Sequence, residues 1–314
     1  MECESHSVSI LSMSASDLPK STKAAPLGAG TALSALVLGA CFMGISPVFV
    51  RLADVGPFAS AFWRVGLALP LLFAWSYFER RRDPSAQLMP MTKAVWATGI
   101  FFAGDLFFWH LAILNTPLAN ATLLACLAPV WVVLLSGVAI GEPVTRNSYI
   151  GLAMCLAGAG MLIGSSYGIA PERLIGDLYG FITSIFFGLY FLAVRVARRD
   201  CGAGALTFSS TTITAGILLL VALALEPTLL PATMTGLAAL LMLGFISHSG
   251  GQGLLAGAMG SLSAQFGSLV IFIEALAAAI VAWLVFSEAL TPLQLAGGVL
   301  ILAGVYVARP QAAN

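Results

Sequence analysis

Ten times along this chain an apolar stretch long enough to cross a bilayer follows the last after a short polar connection, and that recurrence leaves few folds open. A hydrocarbon core needs roughly 20 residues of apolar helix to span it. Within it every backbone N–H and C=O must be satisfied inside the protein, which a helix does by itself. The stretches are about Thr31–Val50, Phe58–Phe78, Ala94–Ile113, Leu118–Ile140, Ser148–Gly164, Gly176–Val196, Ala205–Leu225, Thr235–Gly257, Leu262–Phe286 and Pro292–Val307. The expected fold class is an all-α integral membrane protein with ten transmembrane helices. Composition agrees, since 9% of residues are charged where soluble domains carry about a quarter.

Lys and Arg are retained on the cytoplasmic side of membrane helices. With the N-terminus inside, eleven of the 14 cations fall in cytoplasmic segments, Arg51 and Arg173 fall outside, and Arg64 sits within the second helix. Both termini are therefore expected in the cytoplasm of a multi-pass plasma-membrane protein of the bacterial inner-membrane kind. Lys and Arg balance Asp and Glu at 14 each, so no basic field points to nucleic acid. The expected partners are membrane lipid and a small-molecule substrate. The five cysteines form no CxxC pair, which leaves neither a zinc site nor a disulfide framework to propose; no cofactor is implied.

The chain also repeats itself. Residues 104–160 slid by 146 positions pair Gly104 with Gly250, Glu142 with Glu288, Thr145 with Thr291, Gly151 with Gly297 and Gly158 with Gly304. An offset of 144 pairs Val50-Arg51 with Val194-Arg195. Each copy then holds five helices, and because five is odd the second copy runs through the membrane in the opposite sense. Two inverted five-helix repeats are a signature of transporters that alternate access to a midplane site. The expected division is a disordered cytosolic tail at 1–28, a first repeat at 29–168, a second at 169–309 and a C-terminal tail at 310–314.

Ionisable residues within the spans need an explanation, because a charge at the bilayer centre costs roughly 2.5–3.5 kcal/mol on insertion scales. Arg64 and Asp105 fall at comparable depth in helices two and three, so they either pair structurally or meet the two charged ends of a substrate. His110 lies five residues after Asp105, about 140° around the helix, and its ordinary titration range suits a proton relay. Glu274, inside helix nine, is a candidate proton-coupling site. Gln252 follows the run His248-Ser249-Gly250-Gly251 in helix eight, in register with Gly104-Asp105 of the first copy, and is a candidate cavity residue. Trp109 is the candidate aromatic contact for substrate. Glu142 and Glu288 follow helix ends and are expected to cap helices or fix loops.

Arg64 in helix two, Leu127-Ala128-Pro129 and Gly141-Glu142 around helix four, and Gly151 with Gly158 in helix five together resemble the drug/metabolite transporter superfamily, in particular its ten-helix EamA-type permeases. The second copy repeats the likeness in Ile273-Glu274-Ala275, Ser287-Glu288 and Gly297 with Gly304. Two positions depart from it: Ala275 stands where the family often has Pro after Glu, and Ser287 where it has Gly before Glu288. The resemblance implies a permease, commonly an exporter of amino acids, related metabolites or drugs, with a cavity between the two halves. A passive facilitator is the alternative. An intramembrane enzyme using Asp105, His110, His248 and Glu274 is the remaining class, without an HExxH or nucleophile motif to support it.

Overall fold

The computed structural model describes residues 27–163, 171–286 and 291–309. Most of the tail at 1–28, Glu288 and residues 310–314 lie outside the described residues. Among those described, the chain is helical with no strand. Among the described residues eight helices are long and apolar enough to cross a membrane: Ala29–Leu52, Pro57–Arg82, Lys93–Asn115, Leu118–Ile140, Pro171–Ala197, Ala203–Leu225, Met234–Ala258 and Ala264–Val281. The segments expected fifth and tenth are the 18-residue helix Arg146–Ile163 and the 17-residue helix Pro292–Ala308.

Several of these spans are broken. The first is α1 (Ala29–Gly44) and α2 (Ser46–Leu52), the second α3 (Pro57–Gly66) and α4 (Leu69–Arg82); α5 (Lys93–Asn115) is continuous. The fourth is α6 (Leu118–Ala125) and α7 (Ala128–Leu135), ending in a π-helical turn, Ser136–Ile140. Pro47, Pro70 and Pro129 each stand second in the piece that follows a break. Proline has no N–H and its ring clashes with the carbonyl four residues back, so each helix stops there. After α8 (Arg146–Ile163), α9 (Leu174–Ala197) and α10 (Ala203–Leu225), the eighth span runs from α11 (Met234–Met242) through the π-helical segment Leu243–Gln252 into α12 (Gly253–Ala258). The ninth is α13 (Ala264–Val270) and α14 (Phe272–Phe286), and α15 is Pro292–Ala308. The break at Ile271 persists without a proline: Ile271 N–H reaches Ser268 O at 3.1 Å and Glu274 N–H reaches Ile271 O at 2.8 Å, tight turns that stand in for helical bonds.

Packing mixes the two halves of the chain. Helix α9 lies against α5, α6 and α7, while α1 lies against α12, α14 and the π-helical segment. Between these groups stand two antiparallel pairs. In one, α8 crosses α15 where a Cβ on Gly151 would sit 2.6 Å from Gly304 O and one on Gly158 2.6 Å from Gly297 O. Only glycine permits that approach, and such small-residue contact is how helices associate in lipid, where apolar side chains gain nothing by leaving the bilayer. In the other pair, α10 runs along α3 and α4, tied at both ends by carboxylates. Glu79 accepts from Gly204 N–H and Ala205 N–H at 2.9 and 3.1 Å. Glu226 accepts from Phe58 N–H and Ala59 N–H at 2.6 and 2.9 Å. Each acid satisfies the orphan donors at a helix start and meets the positive end of its dipole.

Candidate functional site

The breaks surround a cavity of about 390 Å³ between the two helix groups. Its apolar wall includes Met43, Val48, Phe102, Trp109, Phe187 and Ile271; Thr122, Cys126 and Thr183 also face it. Arg64, Asp105, Gln252 and Glu274 come together on it from four different spans. Arg64 lies at the end of α3 just before the Pro70 break, and Glu274 in the first turn of α14 just after the Ile271 break. The π-helical segment ends at Gln252; such wide turns are frequent at functional sites.

Arg64 and Asp105 are each 8% exposed. Of the two arrangements expected of Arg64 and Asp105, the closed structural pair is not made. Among the described residues the one ion pair within 4.0 Å is Arg195 with Glu142. Arg64 Nε is buried without a hydrogen-bond partner. A cation and two carboxylates thus face one cavity without closing on one another.

Of the residues singled out from sequence, Arg64, Asp105, Trp109, Gln252 and Glu274 line this cavity; His110 does not. His110 is 1% exposed, with Nδ1 at 2.6 Å from Leu106 O. A carbonyl only accepts, so Nδ1 carries the proton, and Nε2 is buried without a partner. His248 is also off the cavity, its Nε2 at 2.9 Å from Thr211 Oγ1 and its ring 5.4 Å from Phe102. Thr122, Cys126 and Thr183 carried no sequence signal beyond polarity in an apolar helix.

The cavity reaches one end of the bundle and not the other. Arg51, exposed at the end of α2, and Leu118, first residue of α6, line its mouth. The opposite end is closed by polar contacts around Glu142. Gly141, at φ 71°, turns the chain out of the π-helical turn through the left-handed region, which glycine enters without strain, and delivers Glu142. The Glu142 carboxylate accepts from Arg195 Nε at 2.5 Å and from Ala264 N–H, first residue of α13, at 2.8 Å. Arg195 also donates to Met259 O at 2.8 Å, Arg199 to Ile140 O at 2.7 Å, and Gln265 Nε2 to Glu142 O and Pro143 O. The expectation that Glu142 caps a neighbouring helix matches this geometry.

A largely apolar cavity bearing charged side chains, set between membrane-length helices, open at one end and latched at the other, is the architecture of a membrane transporter. The chain belongs to the EamA-like transporter family, which matches residues 30–164 and again residues 174–309. It is 28% identical to an uncharacterised transporter of Archaeoglobus fulgidus over 88% of this chain and 95% of that one. It is 30% identical to the pseudopaline exporter of Pseudomonas aeruginosa over 69% of this chain and 74% of that one. A probable terminal-alkyne amino-acid exporter of Streptantibioticus cattleyicolor is 26% identical over 71% and 74%. One solved crystal structure shares the fold, with a TM-score of 0.76 at 21% identity over 90% of this chain and 98% of that one.

Proposed function

We propose that this transporter exports a small zwitterionic metabolite of the amino-acid type, by alternating access, across a plasma membrane with both termini in the cytoplasm. The observation that carries the reading is the unclosed trio in the cavity. Arg64 supplies fixed donors for a carboxylate, while Asp105 and Glu274 accept from an ammonium group. The apolar wall with Trp109 receives the rest of the solute. Two carboxylates against one guanidinium leave one negative charge over, which a zwitterion, neutral overall, does not cancel and a proton on Asp105 or Glu274 does. That arrangement supports proton exchange, with His110 Nε2 as a further candidate in the relay. Two relatives named as exporters, one of an amino acid, support the direction and the class.

The membrane arrangement proposed is ten spans in two inverted repeats, 29–168 and 169–309, between tails at 1–28 and 310–314. Helices α8 and α15 are the two shorter spans; at 1.5 Å per residue they reach about 26 Å, close to the hydrocarbon thickness of about 30 Å. The contacts support inversion: shifting by 146 turns the Gly151–Gly304 contact into the Gly297–Gly158 contact. Glu79 on Gly204-Ala205 and Glu226 on Phe58-Ala59 exchange within one residue of the same shift, the helix starts by 146 positions and the acids by 147. Under this topology the Glu142 latch is cytoplasmic and the Arg51 mouth faces outward.

Counterflow in proteoliposomes against labelled amino acids and amphipathic amines tests the reading, with Arg64→Gln, Asp105→Asn and Glu274→Gln beside the parent. Uptake of one class by the parent, lost in folded variants and driven uphill by a proton gradient, is expected. Uptake indifferent to the gradient makes the protein a passive facilitator. No uptake of any zwitterion overturns the substrate class.

A further inference from the structure

The cavity holds one polar side chain whose role depends on a residue outside it. Gln252, 4% exposed, carries an acceptor and a two-proton donor on one amide. Its Oε1 is already occupied, accepting from the Tyr190 hydroxyl at 2.9 Å. Tyr190 does not line the cavity. It is held from the sides by Phe102, at 4.8 Å between ring centroids, and by Phe187, stacked at 6.1 Å. Phe102 in turn meets His248 at a tilt, 5.4 Å between ring centroids, and His248 is bonded to Thr211. No other hydrogen bond to the Gln252 side chain is made among the described residues, so the amide nitrogen is left to the cavity that Gln252 lines. It joins the guanidinium of Arg64, whose Nε is also unpartnered.

The geometry points to Tyr190 as a positioning residue that fixes the Gln252 amide with its N–H donors toward the cavity, so that Arg64 and Gln252 form a two-residue receptor for the substrate carboxylate, set against Asp105 and Glu274 for the amine. This rests on the zwitterion reading and sharpens it. A hydroxyl can accept as well as donate, but a phenol is the stronger donor, so Tyr190 favours the amide oxygen on its side; without it the amide turns over freely and the site distinguishes a carboxylate from a carboxamide less well. A buried donor left facing nothing is what makes such a site reject the analogue that lacks the matching group.

Three probes that share a phenethyl group and an amine separate the claims: L-phenylalanine, L-phenylalaninamide and phenethylamine, each competing for the cavity of purified parent in a binding assay. The parent is expected to prefer phenylalanine. Tyr190→Phe, which keeps the ring and its stacking, should shrink the preference for phenylalanine over phenylalaninamide about threefold to tenfold, the worth of one hydrogen bond, while binding of phenethylamine holds. Gln252→Glu, isosteric and still able to accept from Tyr190, should set a negative charge against the carboxylate and place phenethylamine first. If Tyr190→Phe weakens all three probes alike, Tyr190 is a packing residue and the inference fails with the zwitterion reading intact. An unchanged probe order in Gln252→Glu fails it equally. A folded parent that binds none of the three overturns the zwitterion reading and this inference together.

Discussion

The two ends of the cavity are built from corresponding pieces of the chain and are in opposite conditions. Arg195 ends α9 and is held by Glu142 and Met259, with the start of α13 drawn onto the same carboxylate. Arg51, its counterpart by the 144-residue offset, ends α2 without a hydrogen bond or ion pair among the described residues, and Leu118, counterpart of Ala264, begins α6 at the open mouth. The closed end combines these charged and backbone hydrogen bonds with buried apolar side chains, Ile140, Met259, Leu262 and Phe266 among them. The hydrogen bonds exchange for water at small net cost, whereas the apolar side chains oppose opening by the surface they would expose.

Breaking the closed end should have the largest effect. Cys126 lines the cavity and is a built-in reporter once the other four cysteines are replaced. In sealed vesicles of known orientation, impermeant maleimide should label it from the mouth side in the parent. Glu142→Arg sets two cations together beside the α13 helix start, and the ratio of cytoplasmic to outward labelling should rise about tenfold to hundredfold, the worth of a charge-assisted contact. Exchanging the pair, Glu142→Arg with Arg195→Glu, should recover only part of this, because an Arg cannot accept from Ala264 N–H. Full recovery would reduce the latch to a simple ion pair. Glu142→Gln keeps the shape and one acceptor, so a shift of about threefold is expected; one as large as that of Glu142→Arg would mean that charge repulsion, not loss of the latch, opens the end.

Where the ends are alike, substitutions should match. Glu79→Gln and Glu226→Gln each weaken one two-bond helix cap and should each cost about 1 kcal/mol of unfolding stability in detergent. A difference well beyond that would break the correspondence between the two ends of the α3–α4 and α10 pair. Arg51→Gln should change stability by less than about 0.5 kcal/mol, as expected of an exposed side chain without partners. It should still slow turnover if the mouth closes upon Arg51 in the other state. Equal turnover would confine closure to other residues.

The smallest effect concerns Asp54, at the mouth end, which accepts from Ala232 N–H at 3.1 Å and Thr233 N–H at 2.7 Å. Hydrogen bonding by Thr233, its side chain first, holds this carboxyl below its ordinary value of 3.8. The stability it adds is therefore present above that value and lost as pH falls through the lowered one. The melting temperature of Asp54→Asn should lie slightly below that of the parent at neutral pH and converge with it in acid. A gap that persists in acid would assign the loss to something other than charge.

Much of the candidate cavity lining was legible because a charged or amide side chain is conspicuous against an apolar helix. Arg64, Asp105, Gln252 and Glu274 were found that way, and Trp109 with them. The same rule also selected His110, which turns from the cavity to the Leu106 carbonyl; residue type carries no record of which side of a helix faces the cavity. Nor did sequence single out Thr183, or show that Tyr190 would hold Gln252. Pro47, Pro70 and Pro129 stand just after three of the helix breaks, whereas the break at Ile271 has no proline to mark it.

By itself the sequence determined that this chain lives in a membrane as helices, because a bilayer tolerates no unsatisfied backbone and apolar length is written residue by residue. It determined the duplication too, since glycine, glutamate and arginine at fixed offsets survive in the letters. Only the tertiary structure decided that Arg64 stays open toward two carboxylates, that Glu142 closes on Arg195 and a helix start, and that one end of the cavity is shut. Those outcomes depend on separations of a few ångströms between residues far apart in the chain. Hydrogen bonds and ion pairs weaken steeply over such distances, and sequence spacing does not encode them.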